Sequence, residues 1–117
     1  MKQPTENGTE PLQRRRREID RLDNELLLLL NQRARIACEL GAIKIASGLA
    51  AYDGRRERQV LARMRAENQG PLGPESVAHI FRRIILETRR IGIQSMRQQR
   101  MKSAAVRNLG KEARNGH

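Results

Sequence analysis

Apolar residues recur near the start of the chain at steps of three and four positions. Such a spacing places side chains on one face of a helix, close to the repeat that paired helices use. No glycine or proline interrupts it before Gly41, which predicts a first helix from about Leu12 to Ala46. The residues of this apolar face are Ile19, Leu22, Leu26, Leu29, Ile36, Leu40 and Ile43.

Two further helices are predicted downstream. Asp53 can cap a second helix over about 54–67. After the turn-rich segment 68–74, Pro74 suits the first position of a third helix. The predicted inner faces are Val60, Leu61 and Met64 on the second helix, and Val77, Ile80, Phe81, Ile84, Ile85, Thr88 and Ile91 on the third.

These patterns predict an all-α fold, with a long, a short and a medium helix in each protomer. A first helix of this length cannot bury its whole apolar face under two shorter helices, so its far half needs another partner. A second copy of the chain is the simplest one, and we expect a homodimer whose long helices pair. Composition further predicts a disordered segment over 1–11, a helical domain over 12–100 and a basic tail over 101–117.

Composition limits the possible chemistry and location. The aromatic content is 2% and there is no Trp, so the core must be aliphatic. The single cysteine, Cys38, excludes an intrachain disulfide, which fits a reducing compartment. The N-terminus has no apolar signal-peptide core, and the longest apolar run, 26–30, is too short to cross a membrane. We therefore expect a cytoplasmic protein that does not insert into membranes.

The formal net charge of +11 indicates an anionic partner. The arginine run 14–17 suggests nucleic acid, but aromatic stacking surface is almost absent and no helix-turn-helix spacing is recognisable. A nucleic-acid partner is therefore disfavoured. Deleting residues 101–117 would distinguish a nucleic-acid binder from an enzyme. The binder should lose affinity and salt dependence, while the enzyme should keep its active sites.

Three cations lie on or beside the apolar face of the first helix. Its repeat calls for an apolar residue at position 33, where the sequence has Arg33. Lys44 lies about three turns further on the same side, and Arg16 continues the face in the other direction. An unpaired buried charge costs on the order of several kcal/mol, so a small ligand with two carboxylates would satisfy these cations. Alternatively, each long side chain reaches water from the edge of the face.

The other helices add polar candidates. Thr88 places a hydroxyl on the apolar face of the third helix, where it can bond back to its own helix or meet a ligand. Asp53 and Glu57 are four positions apart and can share one face, with Arg56 beside them. They can serve a ligand as a hydroxyl acceptor and a cation. Alternatively, Asp53 caps the helix, Glu57 favours the helix dipole and the arginines are solvated.

Three segments together resemble the all-helical chorismate mutases. They are RREIDRLDNELLLLLNQRARIACELGAIK (16–44), YDGRRE (52–57) and FRRIILETRR (81–90). The resemblance covers about 12–95 and implies a three-helix protomer in an intertwined homodimer with two active sites. It implies the rearrangement of the dicarboxylate chorismate to prephenate in phenylalanine and tyrosine biosynthesis, with neither a cofactor nor a metal.

The resemblance also implies roles for the cations. Arg33 and Arg16 would clamp carboxylates, with Arg16 crossing into the partner's site. Lys44 would hydrogen-bond the ether oxygen and help to hold a carboxylate. The reaction is pericyclic and needs no base or nucleophile, so orientation and positive charge at the breaking C–O bond would supply the catalysis.

The remaining roles fall on the second and third helices. Asp53 and Glu57 would hold the region of the ring hydroxyl, and Arg56 would support the substrate. Thr88 stands where a serine or similar residue contacts a carboxylate.

One position departs from the family pattern. The family usually places Gln or Glu four residues after the Thr88 position, as a second donor to the ether oxygen, and this chain has Gly92. Gln94 points about 200° away in a regular helix and could replace that donor only if an irregularity turned the helix. Without the donor, turnover should fall on the order of 100-fold or more. A Gly92→Gln variant with a sharply raised rate would identify the defect.

Two enzymatic alternatives stay open. An isochorismate-pyruvate lyase shares the scaffold and a similar cationic pocket, although the complete Tyr-Asp-x-x-Arg-Glu element over 52–57 favours the mutase. The chain could also be a weakly active paralogue that depends on another shikimate-pathway enzyme, since some family members are fused to such an enzyme or activated by one. Assays with both substrates separate the lyase from the mutase.

Overall fold

The computed structural model describes the backbone of residues 4–50 and 52–115, and the side chains of 9–50 and 52–110. Within this range the chain forms three α-helices, α1 over Pro4–Ser47, α2 over Gly54–Glu67 and α3 over Pro74–Asn115. The predicted all-α fold is confirmed. The bounds of α2 and the start of α3 agree with those that Asp53 and Pro74 predicted.

Both long helices extend beyond their predicted ends. α1 begins at Pro4 rather than Leu12 and contains Pro11. Pro4 fits the first turn of a helix, because a proline lacks an N–H group. Residues 1–3 of the segment expected to be disordered lie outside the described residues. α3 has 42 residues against 44 in α1, so it is a second long helix rather than a medium one. The division of the chain at residues 12 and 100 stays a prediction.

The chain forms two compact units, residues 1–32 and 33–117. In the first unit, α1 carries a row of large apolar side chains that are between 38% and 60% exposed in the single chain. This unit therefore does not bury its own apolar face. The exposed residues are Leu12, Ile19, Leu22, Leu26, Leu27, Leu28, Leu29 and Leu30.

The second unit contains the core. α2 contributes Val60 to it, and the end of α1 packs on α3, where the Cys38 thiol donates to the Ile91 carbonyl oxygen at 3.7 Å. Two residues of the predicted inner face of α3, Ile80 and Ile91, remain 44% and 40% exposed, since this face is only partly covered. The buried core residues are Val60, Val77, Ala78, Ile85 and Met96.

The turn between α2 and α3 is stabilised by its own polar groups. The Asn68 side chain accepts from the Gly70 N–H at 3.1 Å and donates to the Leu72 carbonyl oxygen at 2.7 Å. Gly70 has a φ of +70°, a conformation that favours glycine. Arg65 of α2 then pairs with Glu75 of α3 at 3.4 Å. Local turn chemistry therefore sets where α3 begins.

No helix in the described part of the chain is long and apolar enough to span a membrane.

Candidate active site

A pocket of about 150 Å³ lies in the second unit, where the end of α1, the start of α2 and the middle of α3 meet. An adjoining cavity of about 270 Å³ shares Arg33, Arg56 and Glu57 with it. The apolar wall includes Leu40, Ile85 and Met96. The charged lining residues are Arg33, Lys44, Asp53, Arg56, Glu57 and Arg89.

Most of the residues singled out in the sequence come together in this pocket. They belong to three different helices, and Arg33 and Thr88, which touch, are 55 positions apart. Only the tertiary fold can bring such residues into one place. The predicted site residues that line the pocket are Arg33, Lys44, Asp53, Arg56, Glu57 and Thr88.

Two predicted residues do not line the pocket. Arg16 is exposed in the first unit, and its role in a partner's site stays a prediction. Gln94 is exposed on α3, and the prediction that it could replace the missing donor needs correction. α3 continues through Gly92 as an α-helix, so no irregularity turns Gln94 toward the pocket.

Thr88 joins α3 to α1. Its side chain is buried, with 6% exposed, and its hydroxyl accepts a hydrogen bond from Arg33 Nη1. The same hydroxyl donates to the Ile84 carbonyl oxygen at 2.8 Å. Thr88 therefore bonds back to its own helix, as one of the two alternatives predicted, and it also orients a cation of the pocket. Its contact with a ligand carboxylate stays a prediction.

Arg33 lies in an electrostatically unfavourable position. Its half-buried guanidinium loses hydration and faces Arg56. The pKa of Arg33 is therefore held below its usual value, mainly by burial and also by repulsion from Arg56. Among the described residues, no carboxylate lies within 4.0 Å of it. A half-buried cation that faces another cation creates a favourable place for an anion.

Lys44 owes its position to the way α1 ends. The Leu49 N–H donates to the Lys44 carbonyl oxygen at 2.9 Å, and the Gly48 N–H donates to the Ile45 carbonyl oxygen at 3.3 Å. Gly48 has a φ of +70°, which completes the glycine-dependent motif that closes many helices. The helix therefore stops one turn after Lys44, and the chain turns toward α2.

The start of α2 is organised by Asp53. Its Oδ1 accepts from the Arg56 N–H at 3.0 Å, so Asp53 caps the helix as predicted and also lines the pocket. One turn later, Glu57 Oε1 accepts from Arg89 Nη1 at 2.5 Å. The first turn of α2 thus presents two carboxylates and Arg56 to the same pocket.

Sequence reasoning missed Arg89 as a site residue. It lies within the segment 81–90 but does not stand out there, because it directly follows Thr88 and so projects at a different angle. The spacing nevertheless carried a signal, because Arg89 lies four residues after Ile85 and seven before Met96, which is the spacing of one helical face. All three side chains line the pocket.

Gly92 lies in the pocket wall, where the backbones of α1 and α3 come close together. A Cβ built on Gly92 would be 3.0 Å from the Ala37 carbonyl oxygen, and one built on Gly41 would be 2.9 Å from the Gly92 carbonyl oxygen. At these distances a side chain on either glycine requires its neighbours to shift. Packing therefore accounts for the glycine at the position where the family pattern has a donor.

The family model of chorismate mutase type II matches residues 15–92, which is most of the chain. The chain belongs to this family. The predicted resemblance is confirmed, and of the predicted site residues only Gln94 lies beyond the matched range.

Relatives and solved structures agree with this assignment to the chorismate mutase type II family. The chain is 41% identical over 80 residues to a bifunctional chorismate mutase/prephenate dehydratase of Aquifex aeolicus, covering 65% of this chain and 22% of the relative. It is 46% identical over 72 residues to the enzyme of that name from Neisseria gonorrhoeae, covering 62% and 19%. The chain thus spans about a fifth of the length of these curated relatives. A structure of chorismate mutase (form I) from Thermus thermophilus superposes with a TM-score of 0.67 at 38% identity, covering 68% of this chain and 99% of that one.

Proposed function

We propose that this domain catalyses the rearrangement of chorismate to prephenate. The observation that carries the proposal is the charge of the pocket, whose lining has four cations and two carboxylates, a formal excess of two positive charges. Chorismate carries two carboxylates, so it would balance this excess. Membership of the chorismate mutase type II family supports the same substrate.

The proposed mechanism uses binding and orientation rather than proton transfer. The ether C–O bond breaks while a C–C bond forms within the same molecule, so no base or nucleophile is required. Arg33, held by Thr88, would grip one carboxylate together with Arg56. Lys44 would donate to the ether oxygen, where negative charge grows as the bond breaks.

The two carboxylates of the pocket would orient the rest of the substrate. Asp53 and Glu57 are suited to accept a hydrogen bond from the ring hydroxyl, because ionised carboxylates only accept. Together with the cations they would select the folded conformer in which the reacting carbons are close. Fixing such a conformer removes an entropic part of the barrier.

We further propose that the active protein is a homodimer. The exposed apolar row of the first unit, which includes Ile19, Leu22 and Leu26, would be covered by a second copy. Arg16 lies on the same stretch of helix and would enter the partner's pocket as an additional carboxylate ligand. This arrangement would add a further cation to each pocket.

An assay of chorismate consumption with detection of prephenate tests the proposal. The wild type should convert chorismate, and Arg33→Ala and Lys44→Ala should each lose most of the activity. Arg35→Ala is the matched control, because this exposed cation is on the same helix but does not line the pocket. A wild type without turnover, or unchanged rates in both pocket variants, would contradict the proposal. Release of pyruvate from isochorismate would identify the lyase instead.

A further inference from the structure

Arg89 connects α3 to the start of α2 through two contacts. Its Nη1 donates to Glu57 Oε1 at 2.5 Å, and both side chains are mostly buried, with 28% and 25% exposed. Its guanidinium carbon also lies 4.8 Å from the centre of the Tyr52 ring, within the range of a cation–π contact. One cation thus holds a pocket carboxylate and the aromatic ring that precedes α2.

We propose that Arg89 is a positioning residue, which holds Glu57 away from the substrate-binding cations and keeps Tyr52 in place beside the pocket. The effect of Arg89 on the reaction rests on the function proposed above. Its contacts with Tyr52 and Glu57 do not depend on that function.

The two pocket carboxylates differ in how they are held. Asp53 is fixed by its hydrogen bond to the backbone of α2. In the part of the chain that the structure describes, the Glu57 carboxylate is held only by Arg89. Without this bond, the long and flexible side chain of Glu57 would sample many rotamers. The preorganised geometry of the pocket would then be lost.

Arg89 also decides which cations remain available. Arg33, Arg56 and Glu57 line the same two cavities, so a released Glu57 carboxylate would be attracted to these neighbouring cations. It would then compete with a carboxylate of the ligand. The planar guanidinium of Arg89 satisfies Glu57 and leaves the other two arginines for the ligand.

This competition predicts a second-site rescue. Removing Arg89 should weaken the binding of a dicarboxylate, and removing the charge of the released Glu57 should restore part of it. A residue that acts only by supporting the fold would show no such rescue. The pair should therefore behave non-additively in a double-mutant cycle.

The experiment measures prephenate binding by calorimetry and the near-UV circular dichroism of tyrosine. The chain has one Tyr and no Trp, so the tyrosine band reports on Tyr52 alone. Arg89→Ala should raise the Kd for prephenate about tenfold, because the released Glu57 carboxylate competes with the ligand for about one charge-assisted hydrogen bond, and it should diminish the tyrosine band. Arg89→Ala with Glu57→Gln should regain part of the affinity.

Arg90→Ala is the matched control, because Arg90 is the next residue, is exposed and pairs with Glu87 at 3.1 Å instead. It should match the wild type in both measurements. If Arg89→Ala does not fold, Arg89→Met keeps the apolar stem and should show the same two effects. An unchanged Kd and tyrosine band, or a double variant no better than the single one, overturns the proposal.

The same experiment separates this inference from the proposed function. A wild type that neither binds prephenate nor converts chorismate would contradict the proposed function. It would also contradict the proposal that a released Glu57 competes with the ligand. The tyrosine band then still decides whether Arg89 holds Tyr52, and an unchanged band in Arg89→Ala rejects that contact too.

Discussion

Gly92 of α3 lies against the backbone of Ala37 in α1, so that a Cβ on Gly92 would meet the Ala37 carbonyl oxygen at 3.0 Å. The contact is reciprocal, because a Cβ built on Gly41, one turn beyond Ala37, would be 2.9 Å from the Gly92 carbonyl oxygen. The two helices therefore form one wall of the pocket by direct backbone contact. This geometry changes what substitution at Gly92 should do.

Gly92→Gln should destabilise the protein rather than supply the missing donor. The new Cβ would crowd the Ala37 carbonyl oxygen, so the backbone of α1 must shift locally, and overpacking of this kind costs about 1–3 kcal/mol. Thermal unfolding measures the loss. Gly110→Ala is the control, because Gly110 is also in α3 but a Cβ placed there would have no atom within 4 Å, and it should gain up to about 1 kcal/mol. A Gly92→Gln protein as stable as the wild type and faster would restore the donor hypothesis.

Arg33→Met should leave the ligand-free protein at least as stable as the wild type. Because the pKa of Arg33 is lowered in the fold, the protonated side chain is less favourable there than in the unfolded chain. This destabilisation is complete at every pH below the folded pKa and fades only as the pH rises through it. The gain from Met should therefore be constant across the neutral range.

With ligand bound, the wild type should become more stable than Arg33→Met. Prephenate at 100 times its Kd should stabilise the wild type by about 2.7 kcal/mol, and it should not stabilise Arg33→Met. Thermal unfolding with and without prephenate measures both effects. An Arg33→Met protein that is less stable than the wild type and still gains stability from prephenate would show that Arg33 has a structural role.

Thr88→Val should weaken substrate binding. Valine has nearly the same shape but removes the hydroxyl that accepts from Arg33, so the guanidinium loses its orientation. The KM for chorismate should rise about tenfold, as expected for one hydrogen bond to a charged group. Thr88→Ser keeps the hydroxyl and should retain a KM close to that of the wild type. Equal KM values in all three proteins would show that the Thr88 hydroxyl does not contribute to substrate binding.

Mixing two inactive variants tests the proposed exchange of Arg16 between protomers. Arg16→Ala and Arg33→Ala should each be inactive as homodimers. A heterodimer of the two has one pocket with neither substitution, so activity should return after subunit exchange. Arg33→Ala mixed with Lys44→Ala is the control, since every pocket then keeps one substitution and no activity should return. Recovery in both mixtures, or in neither, would contradict the exchange of Arg16.

Local rules in the sequence account for most of the fold. The three- and four-residue spacing of apolar side chains located the helices, because this spacing matches the helical turn. Asp53 and Pro74 marked two helix starts, because capping depends on neighbouring residues alone. α1 begins at Pro4 rather than at the predicted Leu12 and contains Pro11, so neither the loss of the apolar face nor this proline marks its start. α3 likewise runs past the last residues of its apolar face.

Most of the candidate site was also predictable, because Arg33 and Lys44 interrupted a regular apolar pattern and so stood out. Arg89 did not stand out, since one more arginine on a basic chain is unremarkable until the fold places it against Glu57. The same holds for Gly92, whose close contact with Ala37 depends on how two distant helices cross. The sequence by itself determined the helices and the residues that stand out on their faces, because both follow from near neighbours. Only the tertiary structure decided which charges pair and where a side chain would be crowded, because those depend on distances between residues far apart in the chain.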